Sequence, residues 1–118
     1  MPVEEAVKKS YQSTTPEGDV YYIAADFPAF AGHFEGRPIL PAVCQLSFCV
    51  DSANRHFKKQ VEVAAVKRAK FIRPILPETV VQVHLKERPD GVYFAELIDC
   101  KTQEKFSQII LQFTPRIS

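Results

Sequence analysis

The sequence predicts a single α+β domain, one long central helix wrapped by a curved antiparallel sheet of about five or six strands. Three observations lead there. A chain of 118 residues with 46% hydrophobic content can bury one core and has little left for a second. After Pro41, the apolar residues Val43, Leu46, Val50, Ala53 and Phe57 recur at steps of three, four, three and four, the period of one helix face. The last third of the chain alternates in three β-branched and aromatic runs joined by short turns, which is the pattern of an antiparallel meander.

Taken in order, residues from about Val7 to Thr14 and from Asp19 to Ala25 flank the turn-forming Pro16-Glu17-Gly18-Asp19. A hairpin is the simplest reading, and a short helix fits the first arm equally well. The segment Phe30 to Pro38 then places two of the four glycines around one histidine and stiffens the exit with proline, which makes it a fixed loop. In the helix that follows, Ala42, Cys44, Phe48 and Cys49 make the first two turns apolar nearly all round, while Ser52, Asn54, Arg55, Lys58 and Lys59 make the far end polar. The helix is therefore expected to be buried on every side at its N-terminus and to leave the core near Asp51. Val61 to Ile72 alternates as a long strand and should stop at Arg73-Pro74-Ile75-Leu76-Pro77, because proline donates nothing to a ladder. Strands are expected at Thr79 to Glu87, Val92 to Asp99 and Lys105 to Phe113, separated by Pro89-Asp90-Gly91 and by Lys101-Thr102-Gln103. Arg-Pro-Ile-Leu-Pro occurs at 37–41 and again at 73–77, with flanks different enough to read as shared turn chemistry and not as a repeat. A single sheet wrapped on a helix leaves an edge strand and apolar surface that a symmetric dimer would cover.

Composition narrows the function. The 15 basic and 14 acidic residues nearly cancel, and no basic block is interleaved with aromatics, so nucleic-acid binding is unsupported. The densest basic stretch, Lys67 to Arg73, reads first as the wet side of a strand and second as a landing patch for an acidic carrier or a phosphate. Cys44, Cys49 and Cys100 leave an odd thiol and no paired ligand spacing, and His33, His56 and His84 are scattered, so neither a disulfide framework nor a metal site is indicated. MPVEEAVKKS lacks the apolar core of a signal peptide, and no apolar run has the length to span a membrane. The expected compartment is the cytoplasm.

The chemistry is expected where His33, on its rigid loop, precedes the start of the helix. Unpaired backbone N–H groups and the helix dipole there favour a partly negative oxygen, such as that of a thioester carbonyl. The run Phe30-x-Gly32-His33-Phe34-x-Gly36-x-Pro38-Ile39-x-Pro41-x-Val43, with a second match at Lys70-Phe71-x-Arg73-Pro74-Ile75-x-Pro77, resembles the hot-dog fold beta-hydroxyacyl-ACP dehydratase family. Val43-x-Gln45-Leu46 is closer to the dehydratase-like proteins of aryl polyene gene clusters. The order of helix and strands agrees over nearly the whole chain.

The resemblance implies a hot-dog domain that reversibly dehydrates 3-hydroxyacyl thioesters, carried on the phosphopantetheine of acyl carrier protein or on coenzyme A, to 2-enoyl thioesters, with no metal or redox cofactor. It implies that His33 is the base that removes the C2 proton, and that N–H groups near Ala42 and Val43 polarise the carbonyl. Gly32, Phe34, Pro41, Phe71 and Arg73 would complete the substrate surface. It also implies sites assembled from two subunits, the histidine from one and an acid from the other. Two departures stand out: the family's glycine is Ala42, and its acidic residue, fourteen positions after the histidine, is Ser47. Three sources of the missing proton follow. Asp51 could supply it from roughly 6 Å further along the helix, Ser47 could hold a water, or an acid-bearing homologue could complete the site in a hetero-oligomer. A catalytically incomplete subunit that binds acyl thioesters and a thioesterase on the same fold are the alternative functions.

Overall fold

The computed structural model describes residues 2–31 and 38–117. Helix α1 (Val3–Ser10) leads directly into strand β1 (Tyr11–Thr15), and β2 (Gly18–Ile23) completes a hairpin with it. Helix α2 (Ala42–Phe57) follows, and then β3 (Val61–Phe71), β4 (Thr79–Glu87), β5 (Val92–Asp99) and β6 (Lys105–Pro115). The six strands form one antiparallel sheet in the order β1-β2-β4-β5-β6-β3. This is the expected α+β architecture, with the meander in place and a second, shorter helix added.

The first arm divides between the two readings that it allowed. Ala6 and Val7 turn one face of α1 into the core, and only from Tyr11 does the chain extend. The hairpin turn depends on Gly18: its φ of +137° is open to glycine, and a methyl group there would collide with the Val83 carbonyl. Strand β3 ends at Phe71, just before Arg73-Pro74, and β6 runs two residues past its expected end.

Inward-facing side chains on neighbouring strands stack across the sheet, with Tyr21 opposite Val81, Val83 opposite Leu97 and Ala95 opposite Ile109. All six are buried, and with Phe48 and Cys49 of α2 they form the centre of one core. The first two turns of α2 are not buried on every side as expected, and the side turned to the core is not the Val43-Leu46-Val50 stripe. Cys44, Gln45, Phe48, Cys49, Asp51, Ser52 and Ala53 are buried, whereas Val43 is 68% exposed and Leu46 and Val50 are only half-buried. The helix is also covered to Ala53, beyond the Asp51 exit that its polarity suggested. A helix that is apolar nearly all round at one end does not specify which side meets its own sheet. Polar bonds settle it: Ser107 Oγ donates to Gln45 Oε1 at 2.7 Å, Tyr21 Oη to Asp51 Oδ2 at 2.7 Å, and Ser52 Oγ to the buried Asp19. The α2 face left outside and the unpaired edge of β3, where Val66 and Phe71 are 43% and 49% exposed, lie on the surface of the single chain.

Candidate active site

The start of α2 leaves backbone donors open among the described residues. Pro41 caps the helix in extended geometry with no side-chain hydrogen bond, and its carbonyl accepts from the N–H groups of Cys44 (3.0 Å) and Gln45 (3.2 Å). Among the described residues the N–H groups of Ala42 and Val43 have no acceptor. The two Arg-Pro-Ile-Leu-Pro copies meet in this region, since the Leu40 N–H donates to the Ile75 carbonyl at 2.9 Å and both side chains are buried. That clasp sets the end of β3 beside the helix start. Between them lies a cavity of about 280 Å³ lined by Ile39, Leu40, Ala42, Gln45, Phe71, Ile72, Arg73 and Pro74.

Ala42, Phe71 and Arg73, expected from sequence to line one substrate surface, do share this cavity. Arg73 is held to one side, its Nη1 at 2.7 Å from Glu104 Oε1 and its backbone N–H on the Phe106 carbonyl. Gly32, His33 and Phe34 lie outside the described residues. Val43 and Ser47 open on a different groove of about 370 Å³, shared with Leu46, Val50, Val61 and Val63 and rimmed by the Glu4–Arg116 ion pair at 2.7 Å. Ser47 Oγ points back to the Val43 carbonyl at 3.5 Å, the ordinary habit of a serine within a helix.

Asp51 lies one turn beyond Ser47, rotated by about 40° toward the buried side. It is 6% exposed, and its Oδ2 accepts from both Tyr21 Oη and Arg55 Nε, the latter at 2.8 Å. Arg55 in turn stacks on Tyr11, 3.5 Å from the ring centroid. Burial, then the bond to Asp51 and its charge, hold the Tyr21 phenol far above its usual range. Burial works against the Arg55 charge, but the Asp51 bond and charge outweigh it and leave the guanidinium raised. The helix cysteines face the same desolvation: burial raises the Cys44 thiol and pushes Cys49 up to about 12. Neither environment promotes a thiolate.

Sequence reasoning used Gln45 only as a marker of resemblance and passed over Ser107 and Tyr21. Ser107 carried a readable signal, as a polar residue in phase with Ile109 and Leu111 on the inward side of β6. Among the described residues no group of three or more His, Cys, Asp or Glu side chains could hold a metal ion.

The ApeI-like family model, described as ApeI dehydratase, matches residues 9–111. The chain belongs to that dehydratase family. Two curated relatives are named 3-hydroxyacyl-[acyl-carrier-protein] dehydratase FabZ. The one from Wolbachia sp. subsp. Drosophila simulans (strain wRi) is 28% identical over 69% of this chain and 63% of its own length. The one from Haemophilus influenzae (strain PittEE) is 37% identical over 56% of this chain and 52% of its own. The match thus spans about half to under two thirds of these relatives. Among solved structures, a chain of the dehydratase heterocomplex ApeI:P from Xenorhabdus doucetiae superposes with a TM-score of 0.71 at 18% identity, over 83% of this chain and 85% of that one. The ApeI-like chain therefore has the hot-dog fold, as its strand order implied.

Proposed function

We propose that this chain takes part in the reversible dehydration of 3-hydroxyacyl thioesters of acyl carrier protein or coenzyme A, as one subunit of a site that a second hot-dog chain completes. The observation that carries the reading is the start of α2, where among the described residues the Ala42 and Val43 N–H groups have no acceptor beside an apolar cavity. His33 removes the C2 proton, and the electron pair moves toward the thioester carbonyl oxygen, whose growing charge those N–H groups and the helix dipole stabilise. The pair then returns to form the C2–C3 double bond as the C3–O bond breaks. The departing hydroxide takes a proton from an acid and leaves as water.

That acid comes from the partner. Asp51 is spent on Tyr21 and Arg55, and Ser47 offers a hydroxyl that points to its own backbone. The outward face of α2 and the open edge of β3 supply the surface that the second subunit covers. The ApeI:P heterocomplex supports the pairing of two chains of this fold. The test is hydration of a short 2-enoyl thioester, followed as loss of enoyl absorbance, by the chain alone and after co-expression with an acid-bearing hot-dog homologue. Turnover by the pair that disappears with His33→Ala is expected. Full turnover by the chain alone would remove the partner from the reading, and a folded pair inert across several chain lengths would remove dehydration.

A further inference from the structure

Gln45 is a costly residue for its position. It is 4% exposed on the inner side of α2, where leucine would fill the same space without burying an amide. Its Oε1 is committed, because it accepts from Ser107 Oγ at 2.7 Å and Ser107 is fully enclosed. Its Nε2 carries two hydrogens and has no acceptor among the described residues. Gln45 lines the cavity beside the helix start together with Ala42, Phe71 and Arg73.

The direction is set by the helix. Side chains on an α-helix lean toward its N-terminus, so a residue in the second turn lies over the first. That lean sets Gln45 over the first turn, the turn that carries the N–H groups of Ala42 and Val43, and Ala42 shares its cavity. The rest of the cavity is mainly hydrocarbon, with the Arg73 guanidinium drawn to Glu104.

We propose that the Gln45 side-chain amide is a third hydrogen-bond donor to the thioester carbonyl oxygen, beside the backbone N–H groups of Ala42 and Val43, and that Ser107 is the positioning residue that holds the amide in that orientation. The assignment rests on the dehydration reading above. A neutral donor in an apolar cavity polarises the ground-state carbonyl and binds the more negative enolate-like oxygen more strongly still, so its effect falls on kcat more than on KM. Removing one such donor should lower kcat/KM roughly 10²-fold.

The test uses the assembled dehydratase and sorboyl-CoA, a dienoyl thioester whose absorbance moves to longer wavelength when its carbonyl is polarised. Wild-type protein should show the red shift, and Gln45→Leu should lose a large part of it. Ser107→Ala should lose less, because the amide remains but can turn. If Gln45→Leu fails to fold for want of a partner for Ser107, the double variant Gln45→Leu/Ser107→Ala removes both ends of the bond and keeps the core apolar. A red shift that survives unchanged in the folded variant overturns the role of Gln45 and leaves the dehydration reading intact. No red shift with wild-type protein overturns both.

Discussion

Asp51 shows how one carboxylate can look catalytic in sequence and act as an anchor in structure. Spacing put it one turn beyond the position of the family's acid, at the point where the helix turned polar. In the fold it joins α2 to β2 through Tyr21 and braces Arg55 over Tyr11. Asp51→Ala would leave a buried phenol without its acceptor and Arg55 without its anion. Breaking a fully buried pair costs about 3–5 kcal/mol, but the Arg55 side chain is one-third exposed, so a loss of about 2 kcal/mol is expected. Asp51→Asn keeps an acceptor for Tyr21 and should lose less. Urea unfolding measures both, and specific turnover per folded molecule separates anchor from acid: it should be unchanged in Asp51→Asn. A fall of 10²-fold or more at unchanged stability would return Asp51 to the chemistry. None of this partnership was legible in sequence, because Tyr21 and Asp51 are thirty positions apart and each fits its own element's pattern.

The elements themselves were legible wherever period and punctuation agreed. All four later strands, β3 to β6, began where alternation began, and α2 started at the residue after Pro41. The facing of α2 was not, since Val43, Leu46 and Val50 make as good an apolar stripe as Cys44, Phe48 and Cys49. Hydrogen bonds to Asp19, Tyr21 and Ser107 chose between them. The stripe left over has its own meaning, because it lies beside the open edge of β3, and a second subunit would bury both together. Val43→Glu tests this at the scale of the element. Val43 is 68% exposed in the first turn of α2, where a carboxylate is favoured by the helix dipole. Stability of the single chain should stay within about 0.5 kcal/mol of wild type. Association should be lost, because a charge would have to be buried in an apolar contact. Light scattering reads the assembly and thermal unfolding the fold. An intact oligomer in the variant would place the interface elsewhere.

At the scale of the whole molecule, this chain leaves backbone donors open at the start of α2 among the described residues and carries Ser47 where the sequence resemblance puts an acid. The departure at Ser47 was plain in sequence, whereas its consequence depended on where Asp51 pointed. If the missing proton donor is all that separates this chain from a self-sufficient dehydratase, Ser47→Glu should supply it. The position suits the change: Ser47 is half-buried beside a groove of about 370 Å³, and its hydroxyl makes only a long bond to the Val43 carbonyl. The apolar side chains of Leu46, Val50 and Val61 around that groove would favour a protonated carboxyl, the form that delivers a proton to a departing hydroxide. In hydration of a 2-enoyl thioester by the purified chain without a partner, the variant should gain about 10²–10⁴-fold over wild type. Adding His33→Ala should abolish the gain, because base and acid act on the same substrate from opposite ends of the elimination. A folded, self-associated Ser47→Glu chain with no more activity than wild type would show that the partner supplies more than an acid, and that the division of labour extends to the shape of the site.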